Sequence, residues 1–315
     1  MSIDIRTVES KRDLNRFIDF HYKLFKGAPA WAPPLRIDEV NALTPEKNPA
    51  SEFCSSQYWL AWKDGRVVGR IAAFVNHGFV ETWNEKGARF GWIDFIDDPD
   101  VSRKLLKTAE QWAVEQGVES IHGPLSFTDF DATGLLIEGF DELATFGAGY
   151  NFPYYAEHIE NAGFAKEVDY VEYQVEMNDV IPEKVERVAK IAAKRNNLHM
   201  FRARKRKDIL RYAEDVFHLI NKAYSHLYGF VPMTQGQIDH YVKQYFSFIR
   251  PEYTPIVLDE NNELAAFGIT IPSLSRALQK CNGRLFPFGY YHLWRALKKN
   301  PVADLYPVSY THLRA

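Results

Sequence analysis

The sequence lacks the features of secreted and membrane-spanning proteins. Its 315 residues include only two cysteines, Cys54 and Cys281, which lie far apart in the chain. This excludes a disulfide framework and a thiolate metal cluster, and it favours a reducing cytoplasm. The N-terminus begins with a strand pattern instead of a basic segment and an apolar run, and no stretch approaches the roughly 20 apolar residues of a membrane span. We therefore expect a cytoplasmic protein that is neither secreted nor inserted in a membrane.

A large excess of charge is also missing. The chain has 38 basic and 41 acidic residues, which gives a formal net charge of -3. Such a chain has no overall field that attracts nucleic acid or an anionic membrane, so neither partner is expected. A local basic run at residues 190–211 is interpreted as a solvated helix and connector. The ten histidines show no helical pair with a nearby acid and no cysteine partner, so no metal site is expected.

Apolar and aromatic residues, in contrast, are abundant. They make up 46% and 15% of the chain, respectively, which excludes a disordered protein. At about 150 residues per domain, the length predicts two domains.

The first half alternates strand and helix signals. Residues 3–7 predict a strand, and Ser10 caps a helix. Residues 58–75 predict a hairpin around Asp64-Gly65, a pair that suits the positive φ angles of a tight turn. A strand at 90–96, a helix at 101–113 and a short strand at 120–122 follow.

The second half repeats this order with a different ending. It predicts a helix at 210–224, a helix capped by Thr234, and a hairpin at 255–271. Gly69 and Gly268 both fall in the second strand of their hairpins, where a glycine marks a bulge or a close backbone approach. We place the two domains at residues 1–178 and 186–306.

This pattern predicts an α/β protein with mixed sheets, and it is similar to the GNAT acyltransferase fold. Two copies resemble a tandem GNAT with an incomplete second domain. The resemblance to bacterial GNAT-like N-acetyltransferases covers roughly residues 1–306 and is most specific in five strings, residues 122–127, 134–141, 150–155, 228–234 and 282–289.

The resemblance implies acetyl-CoA or another acyl-CoA as cofactor, held by a glycine-containing loop before a helix. The first half has Asp97, Asp98 and Asp100 at that place. These carboxylates repel phosphate, and Asp98 with Pro99 suits a helix cap. The second loop would follow Tyr306, where residues 308–315 resemble a translated sequencing adapter. We therefore expect a truncated, inactive chain that binds acyl-CoA poorly.

Several residues are candidates for the chemistry of acyl transfer. Asp129 and Asp131 could serve as a general base, and Glu138 could attract an amine, unless these acids only form a solvated loop. The resemblance suggests Tyr150 or Tyr154 as the acid that protonates the leaving thiolate, whereas the alternative is aromatic packing. The candidates for substrate binding are Asn151, Tyr155, Tyr224, Tyr228, Phe230 and Arg284.

The preferred hypothesis is an N-acyltransferase that transfers an acyl group from acyl-CoA to a small-molecule amine of unknown identity. The alternative is a non-catalytic protein that binds a small molecule or a partner on a degenerate GNAT scaffold.

Overall fold

The computed structural model describes residues 2–128, 131–145, 147–177, 180–227, 229–245 and 249–310. The chain forms two compact units. The first contains Met1–Val168 and Ser273–Lys299, and the second contains Asp169–Pro272 and Asn300–Ala315. No helix among the described residues is long and apolar enough to cross a membrane.

The first unit contains a five-stranded sheet with the strand order β1-β2-β3-β4-β5. Neighbouring strands are antiparallel except β4 and β5, which run parallel. The predicted mixed α/β class is therefore confirmed. The elements are β1 (Asp4–Thr7), α1 (Lys11–Leu24), α2 (Arg36–Ala42), β2 (Cys54–Lys63), β3 (Arg66–Asn76), α3 (His77–Trp83), β4 (Gly87–Phe95), α4 (Pro99–Glu115), β5 (Ser120–His122) and α5 (Tyr154–Asn161).

The β2–β3 hairpin turns at Asp64 and Gly65, whose φ angles are 51° and 73°, as predicted. The pairing of β2 with β3 shifts register beside Gly69. A Cβ atom at Gly69 would lie 2.7 Å from Leu105 Cδ1 of α4. Gly69 therefore permits the close helix–sheet approach that the sequence predicts, because no side chain fits between them.

Helices cover both faces of this sheet. Arg70 and Gly69 are adjacent and point to opposite faces. Arg70 reaches the backbone of Phe17 in α1, whereas Gly69 lies against α4. The core between these layers is fully buried and largely aromatic, with Phe17, Phe25, Phe74, Phe90 and Phe95 at its centre.

The second unit contains an antiparallel sheet of order β6-β7-β8-β9. The predicted second hairpin is β7 and β8, and the register of β8 against β9 shifts between Gly268 and Thr270. Thr234 caps its helix as predicted, since its Oγ1 accepts from Gln237 N. The elements are α6 (Glu183–Arg195), β6 (His199–Phe201), α7 (Arg206–Leu210), α8 (Ala213–Tyr224), α9 (Gln235–Tyr245), β7 (Ile256–Leu258), β8 (Leu264–Pro272) and β9 (Ala303–Tyr310).

Two helices after β8 belong to the first unit, whereas the sequence placed these residues in the second domain. They are α10 (Ser275–Cys281) and α11 (Gly289–Lys298). Gln279 Nε2 donates to the carbonyls of Pro29 and Trp31. Arg36 N donates to Gly283 O. These bonds and the burial of Leu278 against Leu35 hold the two helices in the first unit.

Candidate functional site

A histidine and a carboxylate meet on the α1 face of the first sheet. His21 Nδ1 lies 2.9 Å from Asp94 Oδ2. The side chains are 14% and 6% exposed. An ionised carboxylate only accepts hydrogen bonds, so Nδ1 carries the proton and Nε2 is left with a lone pair. In the described part of the chain no group bonds to Nε2, so this atom can accept a proton.

Arg70 keeps Asp94 charged. Arg70 Nε donates to Asp94 Oδ2 at 2.6 Å, and both side chains are buried. Burial alone raises the pKa of the Asp94 carboxyl, but Arg70 and then His21 outweigh burial and hold the pKa below its usual value. Asp94 is therefore ionised at neutral pH and can stabilise a positive charge on His21.

Two tyrosines of α5 close the open edge of β4 beside Asp94. Strand β5 pairs only with Gly87–Arg89 of β4, which leaves Phe95 without a strand partner on that side. Tyr155 OH accepts from Phe95 N at 3.3 Å and donates to Asp94 Oδ1 at 3.2 Å. Tyr154 OH donates to Phe95 O at 2.7 Å. Burial raises the pKa of both phenols, so they remain hydrogen-bond donors.

Aromatic rings surround the His21 imidazole. Its centroid lies 4.9 Å from that of Phe25, 5.5 Å from Trp31 and 5.8 Å from Tyr22. Tyr150, a predicted acid, packs on Phe25 at 5.5 Å. We name this group the His21 site and define it as His21, Asp94, Arg70 and Tyr155 with the aromatic residues Tyr22, Phe25 and Trp31.

Acidic residues lie near this site. Trp92 Nε1 donates to Glu39 Oε2 at 2.9 Å. Burial raises the pKa of Tyr22, and the Glu39 charge raises it further. Glu39 also adds to the rise in the pKa of Asp131, for which desolvation is the main cause. Glu39 is thus close enough to act electrostatically on both the His21 site and Asp131.

Asp131 is exposed to solvent. Its Oδ2 accepts from Thr128 N at 3.1 Å and from Thr128 Oγ1 at 3.0 Å. The carboxylate therefore also forms a turn, which was the alternative interpretation of this loop. Its predicted partner Asp129 lies outside the described residues.

The other candidates of the first unit have different surroundings. Asn151 Oδ1 accepts from Leu136 N at 2.7 Å, and its Nδ2 donates to the carbonyls of Leu136 and Phe152. The Asn151 amide therefore holds the loop around Leu136 by hydrogen bonds to its backbone. Glu138 and Arg284 are exposed, and no contact joins either of them to the His21 site in the described residues.

The candidates of the second unit are aromatic. Tyr224 is half-buried and meets the buried Phe230 edge-on at 5.6 Å. This contact matches the packing alternative for these residues. Tyr228 lies outside the described residues.

The start of α4 does not fit the pyrophosphate of an acyl-CoA. Asp98 Oδ1 accepts from Asp100 N at 3.0 Å, and Lys63 Nζ binds Asp98 Oδ2 at 2.7 Å. Asp97 Oδ1 lies 3.1 Å from His158 Nε2. The predicted cap is therefore confirmed. The carboxylates at this helix start disfavour a bound anion.

His21, Arg70 and Asp94 are not among the residues predicted from sequence patterns. A signal was present, because Arg70 and Asp94 each interrupt an apolar strand and His21 falls on the apolar stripe of α1. Charged residues are rarely buried unless they are paired. A search for such interruptions would have selected these residues.

Comparison with known proteins places the chain in a family. No family model matches it. Protein YghO of Escherichia coli is 31% identical over 299 residues, which cover 95% of this chain and 75% of that protein. A bacterial ceramide synthase of Caulobacter vibrioides is 29% identical over 312 residues, 97% of this chain and 79% of that protein.

Among solved structures, the chain is similar to a tandem GNAT protein from the clavulanic acid biosynthesis pathway. The TM-score is 0.45 at 14% identity, over 85% of this chain and 74% of that one. An aminoglycoside acetyltransferase, AAC(6')-Iy in complex with a bisubstrate analogue, covers 56% of this chain at a TM-score of 0.34 and 14% identity. From the 31% identity over most of both sequences, we conclude that the chain belongs to the family of Escherichia coli protein YghO.

Proposed function

We propose that this protein transfers an acyl group to an amine and that His21 is the general base. The observation that carries the proposal is the His21–Asp94 pair, in which one ring nitrogen is held by a buried carboxylate and the other has no partner among the described residues. A base oriented by a charged partner is what proton removal from a nucleophile needs.

In this proposal the amine nitrogen bonds to the acyl carbon, and the carbon–sulfur bond of the thioester breaks. The thiolate leaves and takes up a proton from solvent to give the free thiol. As it attacks, the amine nitrogen loses a proton to His21 Nε2. The imidazolium formed in that step donates through Nδ1 to Asp94. Arg70 keeps Asp94 ionised, and Tyr155 fixes its second oxygen. The surrounding aromatic rings exclude water and so strengthen these charge interactions.

The acceptor class rests on the charge beside the His21 site and on the name of a relative. The Glu39 carboxylate attracts an ammonium group. A relative carries the name ceramide synthase, and ceramide is the amide of a long-chain amino alcohol. We therefore propose an amine with an apolar chain as acceptor. Acyl-CoA as the donor rests on the family resemblance alone.

The test measures release of free thiol from a long-chain acyl-CoA by the full chain, with and without a long-chain amino alcohol. The His21→Asn variant keeps a donor for Asp94 but has no base, so kcat should fall about 100- to 10,000-fold. His77→Asn is the matched control, because His77 is exposed and its side chain bonds only to Ser55 among the described residues. Equal rates for His21→Asn and the parent would overturn the role of His21.

A second candidate, a non-catalytic binding protein, is supported by the start of α4. Its carboxylates disfavour an anionic donor at that helix start. Titration calorimetry separates the two candidates. An amine that binds the chain without any thiol release in its presence favours the binding protein.

A further inference from the structure

Residues 284–299 of the first unit expose an unusual number of aromatic side chains. Large apolar side chains on a soluble protein are normally scattered, and a contiguous exposed group marks an interaction surface. The exposed fractions here are 79% for Phe286, 69% for Phe288, 58% for Tyr290, 47% for Tyr291 and 52% for Trp294.

The exposed rings of helix α11 lie on the side opposite to the one that packs on the core. Gly289 and Leu293 are buried, and Leu293 packs with Leu35 and Leu278. Tyr290 and Trp294 are four residues apart and therefore share the outer side. The Tyr291 and Trp294 rings stack at 6.2 Å. The helix is therefore apolar on two sides, one of which has no covering element among the described residues.

The stretch of sequence that contains these rings is basic. Between residues 264 and 303 the sequence contains no aspartate or glutamate, although the whole chain has a net charge of -3. Lys298 Nζ lies 4.1 Å over the Trp294 ring. The six cations of this stretch are all exposed and are Arg276, Lys280, Arg284, Arg295, Lys298 and Lys299. We call these cations and the five exposed rings the aromatic–basic face.

We infer that the aromatic–basic face docks on the surface of an anionic lipid bilayer. Tyrosine and tryptophan favour the headgroup region of a bilayer, and lysine and arginine pair with its phosphates. Phe286 and Phe288 have no polar tip, and in a bilayer they reach the hydrocarbon boundary. The expectation of no membrane partner rested on the net charge of the whole chain. That value does not show the local excess of positive charge on this face.

Charge disfavours a second copy of the chain as the occupant, since two such faces would place cations against cations. A single-stranded nucleic acid is also anionic and stacks on aromatic rings. The two phenylalanines in one loop favour hydrocarbon over bases, because they offer no hydrogen bond to a base edge. Nucleic acid is therefore an outcome that the experiment must separate.

The experiment measures sedimentation of the full chain with vesicles of phosphatidylcholine and phosphatidylglycerol in equal parts, and with vesicles of phosphatidylcholine alone. Binding should be clear with the anionic vesicles and weaker with the neutral ones, and it should fall with salt. No binding to anionic vesicles, or binding only to a single-stranded oligonucleotide at the same salt, would overturn the proposal.

Variants locate the binding on the face. Removing three charges with Arg295→Gln, Lys298→Gln and Lys299→Gln should weaken partitioning roughly 100-fold, at about fivefold per cation. The matched control removes three exposed cations elsewhere in the first unit, Lys11→Gln, Arg12→Gln and Lys107→Gln, and should change little if docking is local. Equal losses in both sets would show attraction without a docking face.

A second pair tests the rings. Phe286→Ser with Phe288→Ser should weaken binding about 10-fold or more, because two apolar side chains no longer enter the bilayer. Both positions are exposed, so the fold does not depend on them. Tyr173→Ser is the control, since Tyr173 is 80% exposed outside the face.

Discussion

The two hairpins of the molecule differ in what they bury. Strands β2 and β3 contain 10 and 11 residues, and the buried side chains around them include Arg70, Arg89 and Asp94. Strand β7 has three residues. The buried polar side chains described in the second unit are the neutral Gln237 and Thr254. A buried ion pair is weak evidence for stability, because desolvation offsets the attraction. We therefore relate the buried charges of the first unit to chemistry.

Two buried histidines within the first unit sharpen this point. His158 uses both ring nitrogens, Nδ1 with Ser102 Oγ and Nε2 with Asp97 Oδ1. His21 uses only Nδ1 among the described residues. A histidine bonded on both sides ties elements together, whereas one bonded on a single side can exchange a proton.

The distribution of tryptophan allows the two units to be followed separately. All seven tryptophans, which are Trp31, Trp59, Trp62, Trp83, Trp92, Trp112 and Trp294, belong to the first unit. Tryptophan fluorescence therefore reports the first unit, and far-ultraviolet circular dichroism reports both.

We expect the largest loss of stability when the buried cation of Arg70 is removed. Arg70→Met keeps the volume but leaves Asp94 buried without its main charge partner, so the free energy of unfolding of the first unit should fall by about 3 to 5 kcal/mol. Urea unfolding followed by tryptophan fluorescence measures it. Arg103→Met is the control, since it breaks an exposed pair with Asp100, which contributes about 0 to 1 kcal/mol. Similar effects in both variants would contradict the comparison.

The structure also shows which features local sequence signals can predict. The Asp64-Gly65 turn and the caps at Ser10, Asp98 and Thr234 depend on residues within four positions, and all were predicted correctly. His21 and Asp94 are 73 positions apart. Their meeting depends on how α1 packs across β3 and β4, which no local pattern specifies.

The same reason explains the return of the chain to the first unit. Gln279 reaches Pro29 and Trp31 across about 250 positions. The repeat of hairpin and helix signals suggested that everything after β8 belongs to the second half. Local patterns predicted α8 and the β7–β8 hairpin, but not α10 and α11, which belong to the first unit.

Acid should remove the stability that Asp94 gives to the first unit. The folded-state pKa of Asp94 is lowered, so the unfolded chain binds more protons in acid. The stability from Asp94 is fully present above its ordinary pKa of about 3.9 and is lost as pH falls through the lowered value. The urea midpoint of the parent chain, followed by tryptophan fluorescence, should fall as the pH is lowered from neutral. This fall should be smaller than the one that Arg70→Met causes at neutral pH. A midpoint that rises with acid would contradict the sign.

Gly69→Ala should lower the free energy of unfolding by less than Arg70→Met does. In Gly69→Ala the new Cβ meets Leu105 and Val101, both fully buried, and such overpacking typically costs about 1 to 3 kcal/mol. Gly149→Ala is the control, because nothing lies within 4 Å of its Cβ position. Fluorescence-detected urea unfolding should shift for the first variant alone. An unchanged midpoint for Gly69→Ala would show that α4 can move away from the sheet.

The smallest expected effects compare one helix cap in each unit. Asp98→Ala removes the acceptor for Asp100 N at the start of α4, and Thr234→Ala removes the acceptor for Gln237 N at the start of α9. Each cap should contribute about 1 kcal/mol, because one backbone N–H then loses its partner. Asp98→Ala also breaks the partly buried ion pair with Lys63, so its effect should be the larger of the two. Asp98→Ala should therefore lower the midpoint of the fluorescence transition, and Thr234→Ala should lower only the midpoint seen by circular dichroism. If Thr234→Ala also shifts the fluorescence transition, the two units unfold together and the separate energetics inferred from their hairpins are wrong.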